Sequence, residues 1–151
     1  MAEGDGTLYR TFKAALFSGD HDLSSGGDAL QVTLHTAYTP SQAHAVFADV
    51  SGTEYGSGVG YTSGGKLLGS QTVAIDTSAH RGEMDGADVA WTALGPLTPA
   101  TPSDAILWNN TPTAPLTDPL IGYWELGTTA TNGGDYTLQW STSPSAIILL
   151  T

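Results

Sequence analysis

A chain of 151 residues suits one domain and is long enough to bury a core without disulfides or metals. Only 13% of the residues are charged, with 15 acidic against 4 basic and a net charge of −11. The four cations, Arg10, Lys13, Lys66 and Arg81, do not make the clustered basic footprint that nucleic acid or an anionic membrane surface requires. The absence of cysteine excludes disulfides, thiolate zinc sites and a cysteine nucleophile.

Met1 to Gly6 is Gly-rich and charged and reads as a flexible tail that orders on binding. Met1 to Leu8 lacks the basic-then-apolar pattern of a secretion signal, and the longest apolar run, Ala146 to Leu150, is far short of a membrane span. The spacing of Leu8, Phe12, Ala15 and Leu16 predicts a helix over 8–18, with Thr7 as N-cap and Gly19 as its stop. Leu30, Val32 and Leu34 alternate with Gln31, Thr33 and His35, which predicts a half-buried strand with His35 on its polar face. Tyr38-Thr39-Pro40 ends that strand. Ser41 to Ala48 reads as a short helix with Ala43, Val46 and Phe47 inward.

Glycines at 52, 56, 58, 60, 64 and 65 forbid a regular element and make 52–65 a loop. Lys66 to Asp76 reads as one strand, 77–80 as a turn, 81–85 as its return and 88–94 as a further strand. Pro96, Pro99 and Pro102 mark an irregular connection. Ala105 to Trp108 is a short apolar strand, followed by a Pro/Thr loop over 109–118. In 120–126, Leu120, Trp124 and Leu126 are expected on one face and Ile121, Tyr123 and Glu125 on the other. Asn132-Gly133-Gly134 turns the chain, and strands over 135–140 and 147–150 close the sheet. The expected fold is mainly β: a single domain over 1–151, an antiparallel β-sandwich or jelly-roll-like barrel with a short N-terminal helix.

Chemistry-bearing patterns are sparse. His21, His35, His44 and His80 form no HxH or HExxH spacing and read as structural or solvated. Glu83, Asp85 and Asp88 are weak candidates for a hard cation or an acid–base pair, but a solvated acidic edge is the favoured reading. Asp20, Asp22 and Asp28 form a second acidic loop that does not match the EF-hand spacing. Gly60 to Lys66 has the glycine and lysine spacing of a phosphate loop, yet Leu67 stands where Ser or Thr is needed and a strand follows instead of a helix. No nucleotide fingerprint and no Gly-x-Ser-x-Gly elbow is present, so no catalytic residue, metal or cofactor is expected. Trp91 and Trp124 read as core. Trp108 stands at a loop mouth and joins Tyr38 and Tyr123 as candidate contact residues for a partner.

Several segments taken together resemble a family of small structural proteins of tailed bacteriophages. They are Phe12-Lys13-Ala14-Ala15-Leu16, Gly19 to Leu23, Leu30 to Leu34, Ala37-Tyr38-Thr39-Pro40, Val50 to Tyr55, Gly60 to Leu67, Ala87 to Trp91, Pro119 to Tyr123 and Gly133 to Trp140. Their order extends over about 8–150, and the shared features are turn and strand punctuation. Gly95 to Asn110 and the Pro-rich 111–118 depart from the pattern. The resemblance implies a virion component without enzymatic activity. The decoration, or cement, type binds the outer surface of the major capsid protein lattice beside copies of itself. A tail fibre or baseplate adaptor and a carbohydrate-binding module are the alternatives. An acidic chain fits the outside of a DNA-filled shell better than its lumen.

Overall fold

The computed structural model describes residues 6–58, 60–95, 101–111, 115–127, 133–140 and 146–150. The fold is mainly β, with one α-helix among the described residues. Its elements are β1 (Thr7–Leu8), α1 (Arg10–Ser18), β2 (Leu30–His35), β3 (Lys66–Leu67), β4 (Thr72–Asp76), β5 (Arg81–Asp85), β6 (Val89–Trp91), β7 (Asp104–Asn109), β8 (Leu120–Glu125), β9 (Tyr136–Leu138) and β10 (Ile148–Leu150). All pairings are antiparallel and form three sheets, ordered β1-β8-β7-β2-β3, β10-β5-β4 and β6-β9. Among the described residues the sheets do not close into a barrel. The expected N-terminal tail, apart from Gly6, lies outside the described residues, as do Pro96, Pro99 and Asn132.

The core follows from strand alternation. Val32 pairs with Leu107 and Leu34 with Ala105, so these four share one face of the large sheet. They join Met84 and Ile148 from the second sheet, Trp91 and Leu138 from the third, and Phe12 of α1 in one buried cluster. The opposite face of β2 is not solvated, contrary to the sequence expectation. Thr33 and His35 are fully buried there. The chain after β2 folds back over them, with the Tyr55 N–H donating to Leu34 O and the Thr36 N–H to Thr53 O. Ile106, Trp108 and Leu120 on this face pack with Tyr9, Tyr38 and Val50 as a second cluster.

The alternation expected in β8 is broken by a bulge. Leu107 pairs with Gly122 but Trp108 with Leu120, which leaves Ile121 as an extra residue. Leu120 therefore joins the second cluster, while Ile121 and Trp124 both join the main core.

Helix α1 starts later than the periodicity predicts. Thr7 and Leu8 pair with Tyr123 and Gly122, and the Tyr9 N–H donates to Ile121 O at 3.0 Å, so Thr7 is in a strand and caps nothing. Gly19 does end the helix, in the left-handed conformation with φ +74°. The helix expected over 41–48 is reduced to a 3₁₀ turn at Phe47–Asp49. Asp49 accepts hydrogen bonds from the Ala45 and Val46 N–H groups, which holds the preceding chain outside a helical path. The strand expected over 66–76 is two strands in different sheets, separated at Ser70 with φ +54°. The turn at 77–80 is found as expected, with Asp76 Oδ1 accepting the Ser78 and Ala79 N–H groups.

Gly64 and Gly65 lead into β3 with φ of +91° and +74°. A Cβ on Gly64 would meet nothing within 4 Å, whereas one on Gly65 would sit 2.0 Å from Val32 O in the central sheet. Gly64→Ala should therefore cost about 1 kcal/mol from the left-handed backbone alone, and Gly65→Ala at least about 2–3 kcal/mol. Urea unfolding of the two variants checks this, and equal losses would contradict the close approach of Gly65 to β2.

Candidate functional site

Tyr38, Trp108 and Tyr123 are brought together, but as packing. Tyr38 and Trp108 are only 8% and 5% exposed, and Tyr123 is half-buried. The Tyr9 and Tyr38 hydroxyls are 2.5 Å apart, and Tyr38 meets Tyr123 edge-on at 5.9 Å between ring centroids. Phe47 stacks on Trp108 at 4.4 Å. Burial raises both hydroxyls above the ordinary tyrosine value, Tyr9 strongly, so neither is ionised at neutral pH. Phe47 and Tyr123 are the partly buried apolar side chains packed against this cluster among the described residues. All four tryptophans are 5% exposed or less, so none offers a face on which a sugar ring could stack.

His35 lies beneath this cluster. Its Nε2 is 2.9 Å from Thr33 Oγ1 and its Nδ1 is 3.1 Å from Thr53 Oγ1. Burial alone pushes its imidazole down to about 4. Thr33 and Thr53 hold it as a neutral group that joins β2 to the segment folded across it.

The acidic candidates are each engaged within the chain. Glu83 accepts the Arg81 Nε–H at 2.8 Å, and Arg81 also reaches Asp76 at 3.2 Å. Asp85 accepts the Gly86 N–H and Asp88 the Trp140 N–H. Among the described residues, no three His, Cys, Asp or Glu side chains converge as a metal cage. The glycine loop before β3 is already organised around an anion of its own. Glu54 accepts from the Tyr61 hydroxyl, the Ser63 hydroxyl and the Gly64 N–H, while Lys66 Nζ donates to Ala90 O.

The loop after α1 holds a polar cluster. Buried Asn109 donates through Nδ2 to His21 Nδ1 at 2.9 Å and to Asp28 at 2.6 Å, and its Oδ1 accepts the Thr111 N–H. Because Nδ1 accepts, the neutral ring carries its proton on Nε2, which is buried without a partner. His21 borders an apolar cleft of about 310 Å³, with Phe12, Leu16 and Leu23 on one side and Val73, Met84 and Ile148 on the other. A second cleft of about 840 Å³ lies along α1, lined by Leu8, Leu16, Phe17, Leu149 and Leu150.

The large exposed apolar side chains of this flank are the features that sequence reasoning missed. Phe17 is 95% exposed, Ile75 80%, Val73 57% and Leu150 45%. Val73 and Ile75 share one face of β4, and their alternation was legible as a strand. The lack of cover over that strand was not. The arrangement suits binding by apolar contact. Comparison with family models, curated proteins and solved structures gives no match to this chain.

The environment of His35 fixes the sign of a pH effect. An unfolded chain binds a proton at this imidazole below about 6.5, whereas the folded chain does so only below about 4. The stability it supports is therefore present above pH 6.5 and is lost as the pH falls through this window, by about 2.5 kcal/mol between pH 7 and 4.5. Asp104, whose carboxyl is raised by burial, acts in the opposite direction and offsets part of the total. Comparison with His35→Gln removes that background. Urea unfolding at the two pH values should show a loss larger by about 2 kcal/mol or more in the unsubstituted chain, and parallel losses would contradict a neutral buried His35.

Proposed function

We propose that this chain is a decoration protein of a tailed-bacteriophage capsid, bound without enzymatic activity to the outer surface of the major capsid protein lattice. The observation that carries the reading is the apolar flank built by α1 and β10. There Phe17 stands almost fully exposed beside the cleft of Leu8, Leu16, Leu149 and Leu150, in a chain of net charge −11. The serial resemblance to phage structural proteins supports the class. Acidic charge supports the outside of a shell over a lumen filled with DNA.

The mechanism is linkage. A protein that binds the expanded lattice and not its precursor stabilises the expanded form in proportion to its occupancy. Each contact can be weak because the lattice repeats and the shell presents many sites. Phe17 would anchor in a hollow of the capsid surface, and Tyr123 with Phe47 would form a lesser contact over the buried Tyr38 and Trp108. A tail component would share the β-rich domain but sit in few copies.

Image reconstruction of particles carrying the protein tests the reading. Density repeated across the outer face of the head is expected. Density confined to the tail, or lining the shell against DNA, would overturn it. Phe17→Ser should reduce co-sedimentation with expanded shells by roughly tenfold, the usual scale for an exposed aromatic anchor, and leave thermal unfolding unchanged.

A further inference from the structure

We propose that β4 is a self-recognition edge, through which two copies of this chain pair antiparallel about a two-fold axis centred on Ala74. The strand lies at the margin of the β10-β5-β4 sheet, and among the described residues no backbone group beyond β5 pairs with it. At five residues it is the longest sheet edge described; β1 and β3 have two residues each, and β6, β9 and β10 have three. Thr72, Val73, Ala74 and Ile75 are all exposed. None of the usual guards against edge pairing is present. The segment has no lysine, no proline and no bulge, and Thr-Val-Ala-Ile is uncharged.

Ile75 lacks a partner within its own sheet. It sits opposite Gly82, and Gly82 pairs with Leu150, so the position beside Ile75 carries no side chain. In the two-fold arrangement, the register sets Val73 of each copy opposite Ile75 of the other, on the face where both are exposed. Cross-strand pairs of β-branched residues stabilise sheets. For a second copy, the charge pattern favours the antiparallel orientation. Asp76 is the only ionic side chain of the strand and stands at its end, so antiparallel pairing sets it opposite neutral Thr72. Parallel pairing would set Asp76 against Asp76. Each copy carries a net charge of −11, so the association should strengthen with salt. This inference does not depend on the capsid reading.

A single strand pair is smaller than a standard interface, so sedimentation velocity of the full chain should extend from roughly 10 μM to about 1 mM, at low and high salt. The mass is expected to rise from 15.6 kDa toward twice that value, and more readily at high salt. Ile75→Lys should abolish the rise. Thr72→Lys, which sets an ammonium opposite Asp76, should tighten pairing several-fold, and Thr72→Asp should weaken it several-fold. These positions are exposed, and circular dichroism confirms the fold of each variant. A chain that remains monomeric throughout overturns the proposal and leaves the edge to a strand from another protein. Dimers unaffected by Ile75→Lys, or shifted in the same direction by both Thr72 substitutions, overturn it as well.

Discussion

The six-residue pairing of β2 with β7 lies at the centre of the large sheet, and every side chain of β7 is removed from water. A sheet buried on both faces needs two layers of cover and partners for each polar group enclosed. The main core supplies one layer and the aromatic cluster of Tyr9, Tyr38 and Trp108 the other. Polar residues then fix where the cover attaches. Thr33 and Thr53 flank His35, Ser103 donates to Asp104, and Asn109 holds both His21 and Asp28. The loop after α1, which borders the cleft beside β4, is tied to the end of β7 by buried Asn109 and by the Ala29 N–H to Thr111 and Asn110 N–H to Ala29 O hydrogen bonds.

Much of this architecture was legible in local pattern. Leu30, Val32 and Leu34 marked β2, Gly19 stopped the helix, and the turn at 77–80 reversed the chain as composition suggested. Alternation reports that one face of a strand is buried but is silent on whether something covers the other, which is why the burial of His35 was not visible. The β8 bulge arises from pairing with β7 across distant sequence, so no periodicity within 120–126 could reveal it. The division of 66–76 likewise reflects two partners, β2 and β5, competing for one apolar stretch.

The candidate site was less legible for a related reason. Tyr38, Trp108 and Tyr123 stand near strand ends and loop mouths, where an aromatic residue can face either a partner or the protein itself. Here the loops form a layer of their own, and the rings are its packing. Three acids within 83–88 suggest a cation site by spacing. Their hydrogen-bond partners, the Arg81 guanidinium and the Gly86 and Trp140 N–H groups, become evident only once the hairpin and the remote strand are assembled.

Charge and apolar exposure together constrain how such a molecule can recognise anything. Of its four cations, Arg81 is engaged by Asp76 and Glu83 and Lys66 by a backbone carbonyl, and Arg10 and Lys13 stand on the helix. A negatively charged domain of this kind repels its own copies at long range, so attraction must come from short-range contact between neutral surfaces. Among the described residues the large exposed apolar side chains are Phe17 on α1, Leu150 on β10, Val73 and Ile75 on β4, and Leu67 on β3 of the large sheet. Phe17 stands on a helix and offers an anchor for a hollow, while Val73 and Ile75 stand on a free strand that offers backbone groups as well. Long-range repulsion beside a short apolar edge allows pairing only where copies are concentrated or held in place, and a repeating surface provides both conditions.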